Sequence, residues 1–310
     1  MLKRSVVKLE NMEITFLGTS TSAPTKTRNH PGIHVKFLNH NFMLDCGEGT
    51  QRQMILAGIS PYKVSQIFIT HIHGDHLLGI GGLLQTQGFL GRKEPLTIYG
   101  PHGIKKYVDF FASWEYSFHE FDIHVKEIKE GLVYEDEDYR MSAFKVEHTN
   151  CPSFGYVFEE KAELNLDKEK LKRLGLEGNP LNRELKERGR IHWRGRTINL
   201  KDVSKPVRKG IKLVYTGDST PCEEIVKAAK GADVLISEAT FAEELKEKAH
   251  DYGHMTAKDA ARIAKKAGVK RLLLTHISPR YDDNPKVLEK EAREIFRNTD
   301  IANDFMKIEV

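Results

Sequence analysis

The sequence predicts a layered α/β fold interrupted by one basic insertion. Short apolar runs of strand length intermix along the chain with longer runs of helical period. Such mixing argues for helices packed on sheets rather than for separate all-helical and all-strand parts. The 310 residues are 39% apolar and include 15 Phe and 10 Tyr, enough to fill a sizeable core and to exclude wholesale disorder.

Strands are expected at Glu13–Leu17, Ile33–Leu38, Phe42–Asp45, Gln66–Thr70 and Leu96–Tyr99. Further strands are expected at Ile123–Ile128, Ser142–Glu147, Phe154–Phe158, Lys212–Thr216, Val234–Ser237 and Arg271–Thr275. Helical periodicity covers Thr50–Ala57, Leu78–Leu90, Ile104–Ala112, Glu223–Lys230, Ala257–Ala267 and Pro285–Phe296. Thr256 suits an N-cap and Gly268 a C-terminal stop. Residues 1–11 lack pattern and read as an N-terminal extension, because Met12-Glu13-Ile14 already opens a strand.

Charge is unevenly spread. Residues 161–212 hold 16 Lys and Arg against 7 Asp and Glu, whereas the other 258 residues hold 32 against 37. A segment at 161–210 therefore reads as a basic arm for a polyanionic partner, inserted into a mildly acidic main domain spanning 12–310. Within it Asp167–Leu174 suits a short helix, Gly175, Gly178 and Asn179-Pro180 mark turns, and Lys186–Arg196 is densely basic with little core-facing period. Such a stretch is expected to protrude. No apolar run approaches the ~20 residues of a membrane span, and no signal-peptide core is visible, so a cytoplasmic protein is expected. Cys46, Cys151 and Cys222 are too few and too scattered for a disulfide framework.

The chemical signal is Thr70-His71-Ile72-His73-Gly74-Asp75-His76, directly after an expected strand. Three imidazoles and a carboxylate within six residues are the donors that Zn²⁺ accepts, and the lack of nearby cysteine suits a catalytic rather than a structural ion. His148, Asp218 and His276 each follow another expected strand, as ligands along one sheet edge would. Five His and two Asp suffice for two cations if one carboxylate bridges, and Asp218, preceded by Gly217, is the expected bridge. Asp45, in Asp45-Cys46-Gly47-Glu48-Gly49, could orient ligand histidines by hydrogen bonding. Glu238 and His254 could together donate a proton to a leaving oxygen. Taken singly, each of these could be a turn or capping residue.

These residues resemble the metallo-β-lactamase superfamily through Phe16-Leu17-Gly18-Thr19-Ser20, Leu44-Asp45-Cys46-Gly47-Glu48-Gly49-Thr50-Gln51 and the His-x-His-x-Asp-His run. Gly88-Phe89-Leu90-Gly91-Arg92-Lys93-Glu94-Pro95-Leu96, Tyr99-Gly100-Pro101, Ser237-Glu238-Ala239-Thr240-Phe241 and His254-Met255-Thr256 narrow the likeness to the ribonuclease Z family of tRNA 3′-processing endonucleases. The resemblance implies an αββα sandwich, two Zn²⁺ per subunit, a homodimer, and an arm that grips precursor tRNA. It implies His71, His73 and His148 on one zinc, Asp75, His76 and His276 on the other, and Asp218 between them. It further implies Asp75 as catalytic proton acceptor, Glu238 and His254 at the leaving group, and Ser278 and Arg280 on phosphate. Its expected products are a tRNA with a 3′-hydroxyl and a trailer with a 5′-phosphate. Gly178-Asn179-Pro180 departs from the family's usual Gly-Pro in the arm. The competing expectations are a phosphodiesterase of small phosphodiesters on the same fold, and a non-catalytic RNA-binding protein.

Overall fold

The computed structural model describes residues 12–113, 119–161, 164–206 and 209–310; the expected extension at 1–11 lies outside them. Two seven-stranded mixed sheets face one another. The first uses β1 (Glu13–Gly18), β2 (Gly32–Phe37), β3 (His40–Cys46), β4 (Gln66–Phe68), β5 (Leu96–Gly100) and β6 (Ile123–Glu127) in that order, with a C-terminal strand, Lys307–Glu309, beside β1. The second begins with β7 (Gly131–Glu135), β8 (Tyr139–Val146) and β9 (Ser153–Glu160) and continues, past the insertion, through Lys212–Tyr215, Val234–Glu238, Arg271–Thr275 and Thr299–Ile301.

Each sheet is antiparallel at one end and parallel at the other. Between the sheets lies a core of large side chains, among them Phe16, Phe42, Phe68, Tyr139, Tyr156 and Phe158. Phe68 stacks on Tyr99 and Phe42 on Tyr139 and Phe158, geometries that aromatic quadrupoles favour. Helices Thr50–Leu56, Gly79–Phe89 and Ile104–Ala112 cover the outer face of the first sheet. Helices Glu223–Ala229, Ala257–Ala267 and Lys286–Arg293 cover the second. This is an αββα sandwich. Thr256 caps the helix Ala257–Ala267 with a reciprocal box to Asp259, and Gly268 ends it in the left-handed region.

Three differences from expectation have physical causes. The single helix expected over Leu78–Leu90 is preceded by a separate turn, Gly74–Leu77, because the loop carrying the histidines must bend back over β3. The edge strands Gly131–Glu135 and Lys307–Glu309 have most of their side chains wholly or partly exposed, so they carry no clean alternation. The insertion is more ordered than its composition suggests. Its two helices, Lys168–Leu174 and Leu181–Arg188, and its hairpin, Arg190–Trp193 with Arg196–Asn199, enclose Leu171, Leu176, Leu185, Ile191 and Val203. The period switches from 3.6 to 2 at Gly189, which hid this core. Trp193 packs against it, donating from Nε1 to the carbonyl of Leu174 at 2.8 Å.

The loop between β1 and β2, which forms one wall of the cleft described below, is tied down by Asp304. Its carboxylate accepts from Thr19 Oγ1 at 2.7 Å, the Asn29 amide at 2.7 Å and Gln53 Nε2 at 2.9 Å, while Arg28 bonds Thr19 Oγ1, the Ala302 carbonyl and Asn303 Oδ1. Burial pushes the Asp304 carboxyl up to about 6 even though these donors and Arg28 oppose it. The folded chain thus keeps a proton that the unfolded chain loses near pH ~3.9. Protonation therefore favours folding, and this contribution is complete below about pH 4 and lost as pH rises through about 6. Replacing Asp304→Asn is expected to remove a fall of about 2 kcal/mol across that window, read as the difference in urea-unfolding free energy between pH 4 and pH 7 for the two proteins.

Candidate metal centre

The sheets position the chemistry through the carboxyl ends of their strands, where ligands collect in open α/β sheets. β3 delivers Asp45, the loop after β4 delivers His71 to His76, and β8 is followed by His148. Lys212–Tyr215 is followed by Asp218, Val234–Glu238 ends on Glu238, and Arg271–Thr275 is followed by His276.

The seven side chains meet. His71 Nε2 and His148 Nε2 lie 3.0 and 3.2 Å from His73 Nδ1. Asp218 Oδ2 lies 3.1 Å from His276 Nε2, 3.3 Å from His76 Nε2 and 3.9 Å from His71 Nε2. Asp75 Oδ2 is 3.5 Å from His76 Nε2 and 3.6 Å from His276 Nε2. Donor atoms around a tetrahedral cation with bonds of about 2.1 Å stand roughly 3.4 Å apart, so the spacing fits. His76 Nε2, His276 Nε2 and Asp218 Oδ1 are buried without any hydrogen-bond partner, a cost that a cation would relieve. The groups His71, His73, His148 and Asp75, His76, His276 each offer converging ligand atoms, with Asp218 beside both. The cluster can bind metal.

Its electrostatics point the same way. Burial and the facing imidazole of His76 hold His71 well below the ordinary histidine range. Burial also opposes charge on His76, but Asp218, Asp45 and Asp75 outweigh it and raise its pKa. Asp218 is buried and Asp75 half-buried, which opposes their charge, yet the neighbouring imidazoles keep both carboxyls ionised to low pH. The pocket collects negative charge and demands a positive partner.

Asp45 is wholly buried and fully bonded. It accepts from the Thr70 amide at 2.8 Å, Thr70 Oγ1 at 3.0 Å, His76 Nδ1 at 2.8 Å and Tyr215 Oη at 2.8 Å. Its bond to His76 Nδ1 leaves Nε2 facing Asp218. Glycine makes the close loop packing possible. A Cβ on Gly47 would stand 2.3 Å from the Asp75 carbonyl, and Gly217, at φ 61°, would set one 2.8 Å from Thr70.

Glu238 Oε1 accepts from the Ser219 amide at 2.8 Å and from His254 Nδ1 at 2.9 Å, joining the two residues expected to act together. Burial opposes charge on His254, but Glu238 prevails and pushes its pKa up to about 9. Ser278 lines the cleft, and Arg280 holds its hydroxyl from the rim at 3.2 Å while stacking over Phe241. The cleft itself is a cavity of about 790 Å³ walled also by Thr21, Ser22, Phe241 and Tyr252. The sequence assigns no site role to these last four, nor to Tyr215, Thr70 and Thr240. Hydroxyls and rings belonging to no His/Asp motif leave no local signal, except Thr70, which directly precedes His71.

Comparison with known proteins adds to this geometry. A family model described as Anti-Pycsar protein Apyc1 matches residues 12–175, and one described as a beta-lactamase superfamily domain matches residues 195–277. Ribonuclease Z of Methanothermobacter thermautotrophicus is 46% identical over 299 residues, covering 96% of this chain and 97% of the relative. Ribonuclease Z of Bacillus velezensis is 41% identical over 306 residues, covering 96% and 99%. The crystal structure of the short form of human tRNase Z superposes with a TM-score of 0.69 at 27% identity, covering 96% of this chain and 98% of that one. With its sandwich, its converging His/Asp cluster and near-complete alignment to these relatives, the chain belongs to the ribonuclease Z family of metallo-β-lactamase-fold proteins.

Proposed function

We propose that this protein is the endoribonuclease that removes the 3′ trailer from precursor tRNA. The observation that carries the reading is the meeting of seven ligand-type side chains in a cleft that also presents the Glu238–His254 pair, in a chain of this family. Two Zn²⁺ ions, one against His71, His73 and His148, the other against Asp75, His76 and His276, with Asp218 between, would supply Lewis acidity to the scissile phosphate and acidify a water.

The chain's own groups do the rest. Asp75, ionised and facing the cluster, accepts the proton of the attacking water. His254, held at Nδ1 by Glu238, turns its other nitrogen to the cleft and protonates the departing 3′-oxygen. The products are then a tRNA with a 3′-hydroxyl and a trailer with a 5′-phosphate. Ser278 and Arg280 steady phosphate oxygens. The insertion grips the tRNA stem by its phosphates and shape, offering the exposed Arg190, Arg194 and Arg196 of its hairpin.

A second copy of the chain would cover the apolar groove lined by Ile55, Ile59, Pro61, Phe89 and Leu90, where Phe89 is 86% exposed. Three free thiols, Cys46, Cys151 and Cys222, suit a reducing cytoplasm, and among the described residues no helix is long and apolar enough to cross a membrane.

Three outcomes are expected. A precursor tRNA with a 3′ trailer is cut once at the end of the acceptor stem, chelator abolishes the cut, and Asp75→Ala lowers kcat by about 10²–10⁴. A wild-type enzyme that cleaves chromogenic diesters but leaves the precursor intact would instead be the small-phosphodiester enzyme. Changing Arg190, Arg194 and Arg196 to Ala raises KM with little effect on kcat and flattens the dependence of log affinity on log salt, by about 0.7–0.9 for each phosphate left without its arginine. Phe89→Glu halves the mass measured by light scattering; an unchanged mass would exclude this groove as the dimer contact.

A further inference from the structure

Each half of the sandwich contains the same unassigned chain of hydrogen bonds, running from a buried carboxylate through a threonine hydroxyl to a histidine. In the first half, Thr70 Oγ1 lies 3.0 Å from both oxygens of Asp45 and 3.0 Å from Nδ1 of His71. In the second, Thr240 Oγ1 lies 2.7 Å from Glu238 Oε2 and 2.9 Å from Nδ1 of His276. All six side chains are buried, none more than 4% exposed. Each carboxylate also holds a second imidazole directly at Nδ1, His76 at Asp45 and His254 at Glu238.

We propose that Thr70 and Thr240 are positioning residues that fix the tautomers of His71 and His276, so that each turns an unprotonated Nε2 toward the cation site. A threonine hydroxyl has one proton and lone pairs to spare. At Thr240 that proton has two acceptors, Glu238 Oε2 at 2.7 Å and, more distantly, the His276 carbonyl at 3.1 Å. Glu238 already receives the amides of Ser219, Thr240 and Met255 and His254 Nδ1. Four donors converge on it, so it acts as an acceptor, and a charge-assisted bond is the stronger place for the hydroxyl proton. The short contact from Thr240 to His276 Nδ1 is then satisfied only if Nδ1 carries the hydrogen. Nε2 is left with its lone pair, 3.1 Å from Asp218 Oδ2, where no protein donor meets it.

The same count holds at Thr70, whose proton goes to Asp45 and which accepts from His71 Nδ1–H. Carboxylates that orient ligand histidines usually touch them; here a hydroxyl extends the reach of one carboxylate to two rings. At Glu238 the second ring is His254, so one buried anion orients both a group at the cation site and the group assigned to the leaving oxygen.

The proposal rests on His71 and His276 being cation ligands, and its test separates the two ideas. Nitrogen-15 NMR of the metal-free protein is expected to show His71 and His276 as Nδ1–H tautomers; finding Nε2–H at either would overturn the count at that ring, whatever the enzyme cleaves. Zn²⁺ affinity is then measured by competition with a chromogenic chelator. Thr240→Val is expected to weaken one of two Zn²⁺ by about 10–100-fold and to lower kcat more than it changes KM, while Thr240→Ser restores both. Thr70→Val is expected to weaken the other Zn²⁺, with Thr70→Ser again restoring it. Valine variants that bind both ions as tightly as wild type would sink the proposal. Should a valine variant fail to fold, the serine variant and the tautomers of the wild-type protein still decide it.

Discussion

One buried carboxylate joins the two sheets at the place where the chemistry gathers. Asp45 ends a strand of the first sheet, receives Thr70 and His76 from the loop after β4, and receives Tyr215 Oη from the second sheet. An ion wholly removed from water is costly unless every lone pair finds a donor. Here the donors are the segments that must be held in register. Losing any one would leave charge exposed to an apolar interior, so the anion enforces the meeting of the sheets as much as it benefits from it. Asp45 and His276 also sit in the left-handed backbone region, at φ 58° each. That conformation costs a residue with a Cβ roughly 1–2 kcal/mol, and it is held in place by the surrounding bonds.

Much of this was legible in the residues. The His71–His76 run could be read because its donors lie within one turn of chain. His148, Asp218 and His276 could be read because each follows an apolar run of strand length. Glu238 and His254 were expected as a couple, and the structure puts 2.9 Å between them. The hydroxyls were illegible for a physical reason: threonine and tyrosine are ordinary strand residues, and only contact reveals that Tyr215 or Thr240 is bonded to an anion. The Asp304 network was invisible because its partners lie as much as 285 residues away.

The fold followed a similar logic. Strands buried on both faces, such as Val234–Glu238, declare themselves as continuous apolar runs. Edge strands do not, since half of their side chains face water. The loop junction near Asp75 depends on what is missing: Gly47 and Gly79 abut so closely that a Cβ on Gly79 would lie 1.9 Å from the Gly47 carbonyl. Such a seam lets the acidic turn and the histidine loop share space that side chains would otherwise occupy.

The insertion at 164–206 encloses its own leucines, isoleucine and valine, and its strand pair Leu164–Leu166 with Ser204–Pro206 closes it at the base. A piece stabilised from within is held independently of the packing around the His/Asp cluster. Its length, charge and outline can therefore be altered while the ligand-bearing strand ends keep their places, which makes the insertion separable from the site by design.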